Sequence, residues 1–243
     1  MRVGILYSGG KDSNYAVYSA HKAGHELSCL ITLVPYSVDS YLFHYPNADK
    51  AMLQARAMGL PILMFKSRSV GEGELGDVRR ALAKAVKRFN IEGIYTGGII
   101  SRYQKERFQK VCEELRLHMF NPLWQRDAEE YLRHLIQLGF KVMIVGVSAL
   151  GLDRSWLGRI IDERLLVELK ELHKRFGVHI AFEGGEAETF VLDSPLFKSR
   201  VEVLKTEEKW MGDHGYLRIV KARLVRKVKG KAGRGDERSC LKG

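Results

Sequence analysis

The sequence predicts an α/β fold in which a parallel, doubly wound sheet is followed by a smaller α+β domain. In residues 1–122, short apolar runs alternate with amphipathic stretches of helical length. Strands separated by such helices form parallel sheets through crossover connections. The runs are almost continuously apolar, as expected for strands buried on both faces. Beyond Pro122 this alternation gives way to a region with several consecutive strands.

The first half begins with a predicted strand, and each later strand follows a predicted helix. Gly24 and Gly59 stand directly after two of these helices, where glycine commonly ends a helix. Ligands of parallel sheets bind beyond the carboxyl ends of the strands, so the loops after three strands are expected to converge. The predicted strands are 2–7, 27–34, 62–65, 93–96 and 117–120, the helices are 12–23, 49–58, 74–89 and 102–115, and the loops are 8–13, 35–46 and 97–101.

The second half mixes helices with strands that are too closely spaced for crossover helices between them. Its predicted helices are 128–138 and 162–176, and its predicted strands are 141–147, 178–182, 189–192, 200–205 and 215–225. We therefore expect three regions: a nucleotide-binding domain at 1–122, an α+β substrate-binding domain at 123–225 and a basic, disordered tail at 226–243.

Composition favours a cytoplasmic protein. No apolar run approaches the roughly 18–20 residues of a membrane span. The first residues lack the pattern of a signal peptide, because a glycine-rich loop stands where a cleavage site would be. The three cysteines are far apart and form no CxxC pair, which suits a reducing compartment.

The chain is basic, with a formal net charge of +11, and residues 226–243 contribute +5 of it. Such a segment could contact RNA weakly. The alternative is a disordered tail that only increases solubility, which its glycines and few apolar residues favour. The oligomeric state is not indicated by any pattern.

A glycine-rich loop, Ser8 to Ser13 (SGGKDS), connects the first strand to the first helix. Such a loop offers free backbone N–H groups and the positive end of the helix dipole to an anion. Gly9 and Gly10 permit close approach of the backbone. The hydroxyls of Ser8 and Ser13 and the charge of Lys11 add donors, and Asp12 could cap the helix or support Mg²⁺. The loop is therefore predicted to bind phosphate.

This loop matches the signature of the N-type ATP pyrophosphatases at every position, and the chain resembles that superfamily. The resemblance implies a HUP (Rossmann-like) ATP-binding domain. It also implies that ATP is cleaved between its α- and β-phosphates, that AMP is transferred to a substrate oxygen and that a nucleophile then displaces AMP.

Three further segments resemble those of the diphthamide-synthesis ammonia ligases. The first runs from Gly97 and Gly98 through Ser101, Arg102, Tyr103 and Gln104 to Arg107; the second is WLG at 156–158; the third is EGGEAET at 183–189 with DSP at 193–195. The likeness covers about residues 1–215. Ala187 and Gly98 depart from the pattern, but neither departure removes a charged group that the chemistry requires.

The resemblance implies a reaction and its participants. ATP, ammonia and diphthine, a modified histidine of translation elongation factor 2, would give diphthamide, AMP and pyrophosphate. ATP and Mg²⁺ are the expected cofactors, ammonium the co-substrate and elongation factor 2 the protein partner.

Candidate catalytic residues are those whose charge suits this chemistry. Cations must hold the phosphates, and Arg107 could reach the α-phosphate or the substrate carboxylate. Three carboxylates around two glycines could gather ammonium or the trimethylammonium of diphthine, and one could act as base. The catalytic candidates are Lys11, Arg107, Glu183, Glu186 and Glu188. The nucleotide-binding candidates are Ser8, Gly9, Gly10, Lys11, Asp12, Ser13, Gly97 and Gly98, with Asp12 as metal ligand.

Substrate contacts are expected from the same segments. In the family's pattern these are Tyr103, Gln104, Trp156, Gly185 and Thr189. Aromatic residues near the motifs could hold the trimethylammonium by cation–π contact, and Tyr103, Trp124 and Trp156 are the candidates. Tyr41, Phe43, His44 and Tyr45 follow the second strand, near the expected adenine site.

Two other functions remain open. A tRNA-thiolating enzyme could use the same ATP domain, although that chemistry usually needs a reactive cysteine. A nucleotide-binding sensor without turnover is the second alternative, and release of pyrophosphate would exclude it.

Overall fold

The computed structural model describes residues 1–35, 47–67, 73–98 and 102–227, with only the backbone of Pro35 and 102–104. A five-stranded sheet occupies the first half, in the order β3-β2-β1-β4-β5, with every pairing parallel. Its strands are β1 (Arg2–Leu6), β2 (Glu26–Pro35), β3 (Ile62–Ser67), β4 (Gly93–Tyr95) and β5 (His118–Phe120). The predicted doubly wound parallel sheet is confirmed.

Helices cover both faces of this sheet. They are α1 (Lys11–Lys22), α2 (Ala51–Met58, after a 3-10 turn at Ala48–Lys50), α3 (Gly73–Phe89) and α4 (Arg102–Glu114). Alanines of α1 and α2 pack into one buried cluster, whereas α3 and α4 pack into a second. Because the strands are buried between the two helical layers, their carboxyl ends are the edge at which loops and ligands can meet.

The second half forms a four-stranded antiparallel sheet in the order β7-β6-β9-β8. Its elements are α5 (Ala128–Gln137), β6 (Lys141–Val147), a 3-10 turn at Arg154–Trp156, α6 (Glu163–Phe176), β7 (Ala187–Asp193), β8 (Ser199–Trp210) and β9 (Gly215–Arg226). Each of the two helices begins directly after an N-cap residue. The side chains of Asp127 and Asp162 each accept a hydrogen bond from a first-turn N–H. The predicted α+β architecture is confirmed.

The predicted strand at 178–182 is wrong. This apolar segment forms turns between α6 and β7, with Val178, Ala181 and Phe182 buried in the core. Side chains rather than a neighbouring strand satisfy part of its backbone: the N–H of His179 donates to Glu186 and that of Ala181 to the His179 ring. A short apolar run does not distinguish a buried turn from a buried strand.

The two sheets share one hydrophobic cluster. It contains Val3 and Ile5 of β1 together with Leu132 of α5, Ile144 of β6 and Phe190 of β7. Backbone hydrogen bonds also connect the halves, from Val191 N to Gly9 O at 3.1 Å and from Lys198 N to Ala57 O at 2.7 Å. The domain boundaries at 122 and 225 stay a prediction.

The basic segment starts as part of the second sheet. Arg226 pairs with Ser199 at the end of β9, and Lys227 Nζ lies 2.5 Å from Asp193 Oδ1. The remainder of the predicted tail, 228–243, lies outside the described residues, as do Tyr41, Phe43, His44, Tyr45, Ser101 and the side chains of Arg102, Tyr103 and Gln104. Within the described ranges, no helix has the length and apolar character required to cross a membrane.

Candidate active site

The loop Ser8–Ser13, called the phosphate loop below, is held from beneath by a buried polar network. The hydroxyl of Tyr7 lies 2.9 Å from Asn14 Oδ1 and 3.0 Å from Gln54 Oε1. Gln54 Nε2 donates to Gly9 O at 2.9 Å and to Val191 O at 2.7 Å, so α2 connects the loop to β7. Gly9 has φ of +91° and a Cβ there would lie 2.6 Å from Gln54 Oε1. Only glycine fits this position.

Three backbone N–H groups of the phosphate loop donate hydrogen bonds to side-chain hydroxyl oxygens. Gly9 N donates to Ser13 Oγ, Gly10 N to Ser8 Oγ and Lys11 N to Thr189 Oγ1, at 3.1–3.3 Å. These are long hydrogen bonds, and their acceptors are side chains that can rotate. A phosphate could therefore take these N–H groups and receive the hydroxyls as additional donors.

Lys11 and Asp12 form an ion pair at the start of α1. Lys11 Nζ lies 2.8 Å from Asp12 Oδ2, with the Lys11 side chain 3% exposed. The hydroxyl of Tyr131 on α5 donates to Asp12 Oδ1 at 2.9 Å. Burial, Asp12 and, more weakly, Glu183 raise the pKa of Tyr131, so its hydroxyl stays protonated as a donor. The second half of the chain thus fixes the orientation of Asp12.

The loop after β4 packs directly on the phosphate loop. A Cβ on Gly97 would lie 2.6 Å from the backbone oxygen of Asp12 and closer still to Ser13 N, whereas Gly98 has open space around it. The expected convergence of these two loops is confirmed for Gly97 and Gly98. They border a cleft of about 1160 Å³, open solvent included, whose lining joins the phosphate loop, the loop after β4, β1, β2, β5, α4 and β7.

The acidic segment contributes three carboxylates with different surroundings. Glu188 and Thr189 line the cleft. Glu183 is exposed, yet desolvation by the surrounding protein raises the pKa of its carboxyl, with opposing effects from His179 and Lys11 and further upward effects from Asp12 and Glu186. Its carboxyl therefore lies within electrostatic reach of the phosphate loop.

Glu186 holds the backbone of its own loop. Its carboxylate accepts hydrogen bonds from His179 N at 3.0 Å and Gly184 N at 2.9 Å. Glu186 precedes β7, and its side chain folds back on this turn rather than lining the cleft with Glu188. The structure thus places the carboxylates of Glu186 and Glu188 in different surroundings.

The other predicted residues divide between the cleft and the core. Thr189 lines the cleft, and Gly185, with φ of +83°, forms the turn before β7, where its oxygen accepts from Ser148 Oγ. Trp156 is 6% exposed in the shared core, with Arg159 stacked on its ring. Arg107 is half-buried on α4 outside the described lining.

Several residues of the cleft were not found from the sequence. Lys105 lines the cleft from α4, and its Nζ lies 3.9 Å from the centre of the Trp124 ring. Phe182 lines it beside the acidic segment with φ of +58°, a strained conformation for a bulky residue. The others are Thr96, Phe108, Met119 and Asn121. No sequence pattern marks these residues, because folding alone brings their positions together.

The carboxylates offer little for a metal held by protein alone. Among the described residues, no group of three or more His, Cys, Asp or Glu is placed to hold an ion. Asp12, the predicted ligand, has a side chain 29% exposed at the phosphate loop. One carboxylate beside a phosphate site is the usual protein contribution to Mg²⁺, which otherwise binds phosphate oxygens and water.

Comparison with known proteins gave matches along almost the whole chain. Residues 1–119 match the family described as diphthamide synthase N-terminal domain, and residues 127–225 match the diphthamide synthase C-terminal domain. A protein of Homo sapiens named diphthine–ammonia ligase is 37% identical over 94% of each chain, and one of Bos taurus with the same name is 36% identical over the same shares. Among solved structures, a predicted subunit of tRNA methyltransferase from Methanocaldococcus jannaschii aligns over 94% of this chain and all of its own, with 17% identity and a TM-score of 0.38.

Proposed function

The chain belongs to the family of diphthine–ammonia ligases, and we propose that its cleft converts diphthine, ammonia and ATP to diphthamide, AMP and pyrophosphate. The carboxylate of diphthine becomes a primary amide. The protein substrate that we propose is translation elongation factor 2, with the trimethylammonium of diphthine near the acidic segment.

One observation carries this proposal: the phosphate loop and the acidic segment meet at one cleft. Lys11 N donates to Thr189 Oγ1 across 178 residues of sequence. Glu188 and Thr189 line the same cleft as Ser8 and Lys11. An amide-forming ligase needs this combination, because a carboxylate must be activated beside a group that accepts a proton from the attacking amine.

In the first proposed step, a carboxylate oxygen of diphthine attacks the α-phosphorus and the bond to the β-phosphate breaks. The N–H groups of the phosphate loop and the ammonium of Lys11 would hold the departing pyrophosphate. Lys11 starts from its ion pair with Asp12, so the phosphates compete with Asp12 for this cation. Mg²⁺, when bound by the phosphates and Asp12, would offset their negative charge.

In the second step, ammonia attacks the carbonyl carbon of the acyl-adenylate. The carbon–oxygen bond to AMP breaks, and the nitrogen loses a proton. We assign proton acceptance to Glu183, because a raised pKa makes a carboxylate a stronger base than it is in water. Glu188 would attract ammonium into the cleft, and Glu186 acts as a positioning residue for the turn that carries Glu183. Phe182, which lines the cleft beside the acidic segment, would contact the trimethylammonium.

The test uses the purified protein with ATP labelled at the α-phosphate, ammonium, Mg²⁺ and elongation factor 2 that carries diphthine. We expect AMP and a primary amide in equal amounts, and only with the modified factor. ADP as product, or AMP formed equally without that factor, would contradict the proposal. Omitting Mg²⁺ or ammonium tests each of these requirements separately.

The alternative functions receive less support. Both cysteines that the structure describes are buried, and burial raises the pKa of Cys29 to about 12 and that of Cys112 to about 11. Thiols of this kind are poor sulfur carriers for tRNA thiolation. A sensor without turnover would form no AMP in the assay above.

We further propose that the protein acts in the cytoplasm.

We also propose that residues 228–243 add weak contact with RNA near the elongation factor. The support is the charge of this segment alone. Deleting 228–243 should lower the apparent affinity for ribosome-associated factor and reduce its salt dependence. Unchanged affinity and salt dependence would contradict the RNA contact.

A further inference from the structure

We propose that Thr96 and Asn121 recognise the edge of the adenine base of ATP. The inference rests on the proposed ATP-dependent function and adds to it two residues that select the base. Asn121 Oδ1 would accept a hydrogen bond from the 6-amino group, and the Thr96 hydroxyl would donate to the adjacent ring nitrogen.

Both side chains have a buried oxygen without a hydrogen-bond partner. Within the described part of the chain, Thr96 Oγ1 and Asn121 Oδ1 are buried and unpaired. Thr96 is 7% exposed as a whole residue. Buried polar atoms in folded proteins almost always have partners, so two such atoms in one cleft indicate a missing ligand.

The strand register places the two residues side by side. Tyr95 of β4 pairs with Phe120 of β5, and the next backbone contact, Thr96 N to Phe120 O, is 3.0 Å long. The rings of Tyr95 and Phe120 stack 4.7 Å apart on one face. Because side chains alternate along a strand, Thr96 and Asn121 point to the opposite face, towards α4.

The same side of the cleft has an apolar wall that suits a flat heterocycle. Its members come from three strands and from α4, and all belong to the core cluster on the α3–α4 face of the sheet. They are Leu6, Ile31, Leu33, Phe108 and Met119. The phosphate loop borders the same cleft, so the base of an ATP molecule whose phosphates bind there could lie against this wall. Apolar walls with a few fixed polar atoms are typical of such subsites.

Local charge argues against ammonium as the occupant. Lys105 lines the cleft, and its Nζ lies above the ring of Trp124, whose backbone N–H donates to Asn121 O at 3.3 Å. A cation beside Asn121 repels ammonium, whereas it is compatible with a neutral base next to a phosphate-bearing ribose. An asparagine amide and a hydroxyl also match the donor and acceptor pair on the adenine edge.

The test is a comparison of ATP with purine riboside triphosphate, which lacks only the 6-amino group. Dissociation constants are measured by calorimetry with Mg²⁺ and without diphthine, so turnover does not interfere. For the unmodified protein we expect binding about 10-fold weaker without the amino group, the usual effect of one hydrogen bond to a buried acceptor. Asn121→Leu should bind both nucleotides equally, and Thr96→Val should weaken ATP binding.

Ser28→Ala is the matched control. Ser28 Oγ is also buried and unpaired, but it lies on β2 and outside the described lining of the cleft. The Ser28→Ala variant should keep the full preference for ATP over purine riboside triphosphate. Equal binding of the two nucleotides by the unmodified protein, which needs no variant to fold, would overturn this inference while leaving the ligase function intact. Absence of any ATP binding would overturn both.

Discussion

At the scale of single residues, the geometry of the site depends on glycine positions at which any side chain would collide with neighbouring atoms. Gly97 is the sharpest example, because its Cβ would collide with the backbone of Asp12 and Ser13. Backbone atoms at the start of a helix cannot move as a long side chain can. Because Gly97 has no Cβ, the loop after β4 can pack directly on the phosphate loop.

Gly97→Ala should therefore damage the site. We expect the loop after β4 to be displaced, the free energy of unfolding to fall by about 1–3 kcal/mol, and ATP affinity to fall at least about 10-fold. Urea unfolding and calorimetry measure the two effects. Gly98→Ala, which adds a methyl group in open space, is the control for stability. Equal stability and ATP affinity in Gly97→Ala and the unmodified protein would contradict the packing argument.

The raised pKa of Glu183 predicts how the stability of the protein depends on pH. Its pKa is raised in the folded state, so ionisation of this carboxyl opposes folding at neutral pH and has no such effect below the unfolded pKa. Glu183→Gln should raise the melting temperature at pH 7 by about 1 °C, since solvent screens the charge. This gain should disappear as the pH falls to about 4.

The control for Glu183 is Glu171→Gln. Lys174 lowers the pKa of the Glu171 carboxyl, so this variant should lose stability at pH 7, opposite in sign. A melting temperature for Glu183→Gln below that of the unmodified protein at pH 7, with the loss growing as pH rises, would show that the carboxylate is stabilising instead.

At the scale of elements, α2 acts as the support of the phosphate loop. Gln54 is fully buried and connects this helix to Tyr7, Gly9 and Val191. We expect Gln54→Leu, which keeps the volume and loses the polar atoms, to lower the free energy of unfolding by about 2–4 kcal/mol. Urea unfolding measures it, and ATP affinity should fall in parallel.

Gln137→Leu is the matched substitution for this helix prediction. Gln137 is exposed at the end of α5, so its change should stay within about 0.5 kcal/mol. If Gln54→Leu were equally mild, the hydrogen bonds of Gln54 would contribute little, and the loop would have to be held by its own sequence.

Periodicity predicted almost every element of the fold, but side-chain chemistry across elements was harder to predict. The SGGKDS stretch and the acidic segment carry local patterns, so both were found. Tyr131 bonds Asp12 from a helix more than a hundred residues away, and Asn121 owes its interest to an oxygen left unpaired after folding. The turn at 178–182 was predicted as a strand because its support comes from Glu186, which an apolar pattern does not reveal.

At the scale of the whole molecule, the two sheets are parts of one buried structure. One hydrophobic cluster contains strands of both. The side chain of Asn47 adds polar links, accepting from Ile219 N at 2.8 Å and donating to Leu217 O at 3.0 Å. Separating the sheets would expose apolar surface on each, which favours joint unfolding.

We expect a single unfolding transition in calorimetry, with equal calorimetric and van't Hoff enthalpies. Circular dichroism and tryptophan fluorescence should give the same midpoint. Addition of ATP should move the transition upward as one unit, because the ligand binds only the folded state. Two separate transitions, with ATP moving only one, would show that the halves fold independently.

The contact between Lys105 and Trp124 gives the chain an optical reporter. An ammonium group 3.9 Å above an indole ring perturbs the emission of that tryptophan. The ring of Trp156 also carries a cation, Arg159, but both residues lie outside the described lining of the cleft. Trp210 donates to Gly212 O in the β8–β9 hairpin. A nucleotide that draws Lys105 from the ring should shift the emission of Trp124. Stopped-flow fluorescence of unlabelled protein could then time the filling and emptying of the cleft, with Trp124→Phe as the silent reference.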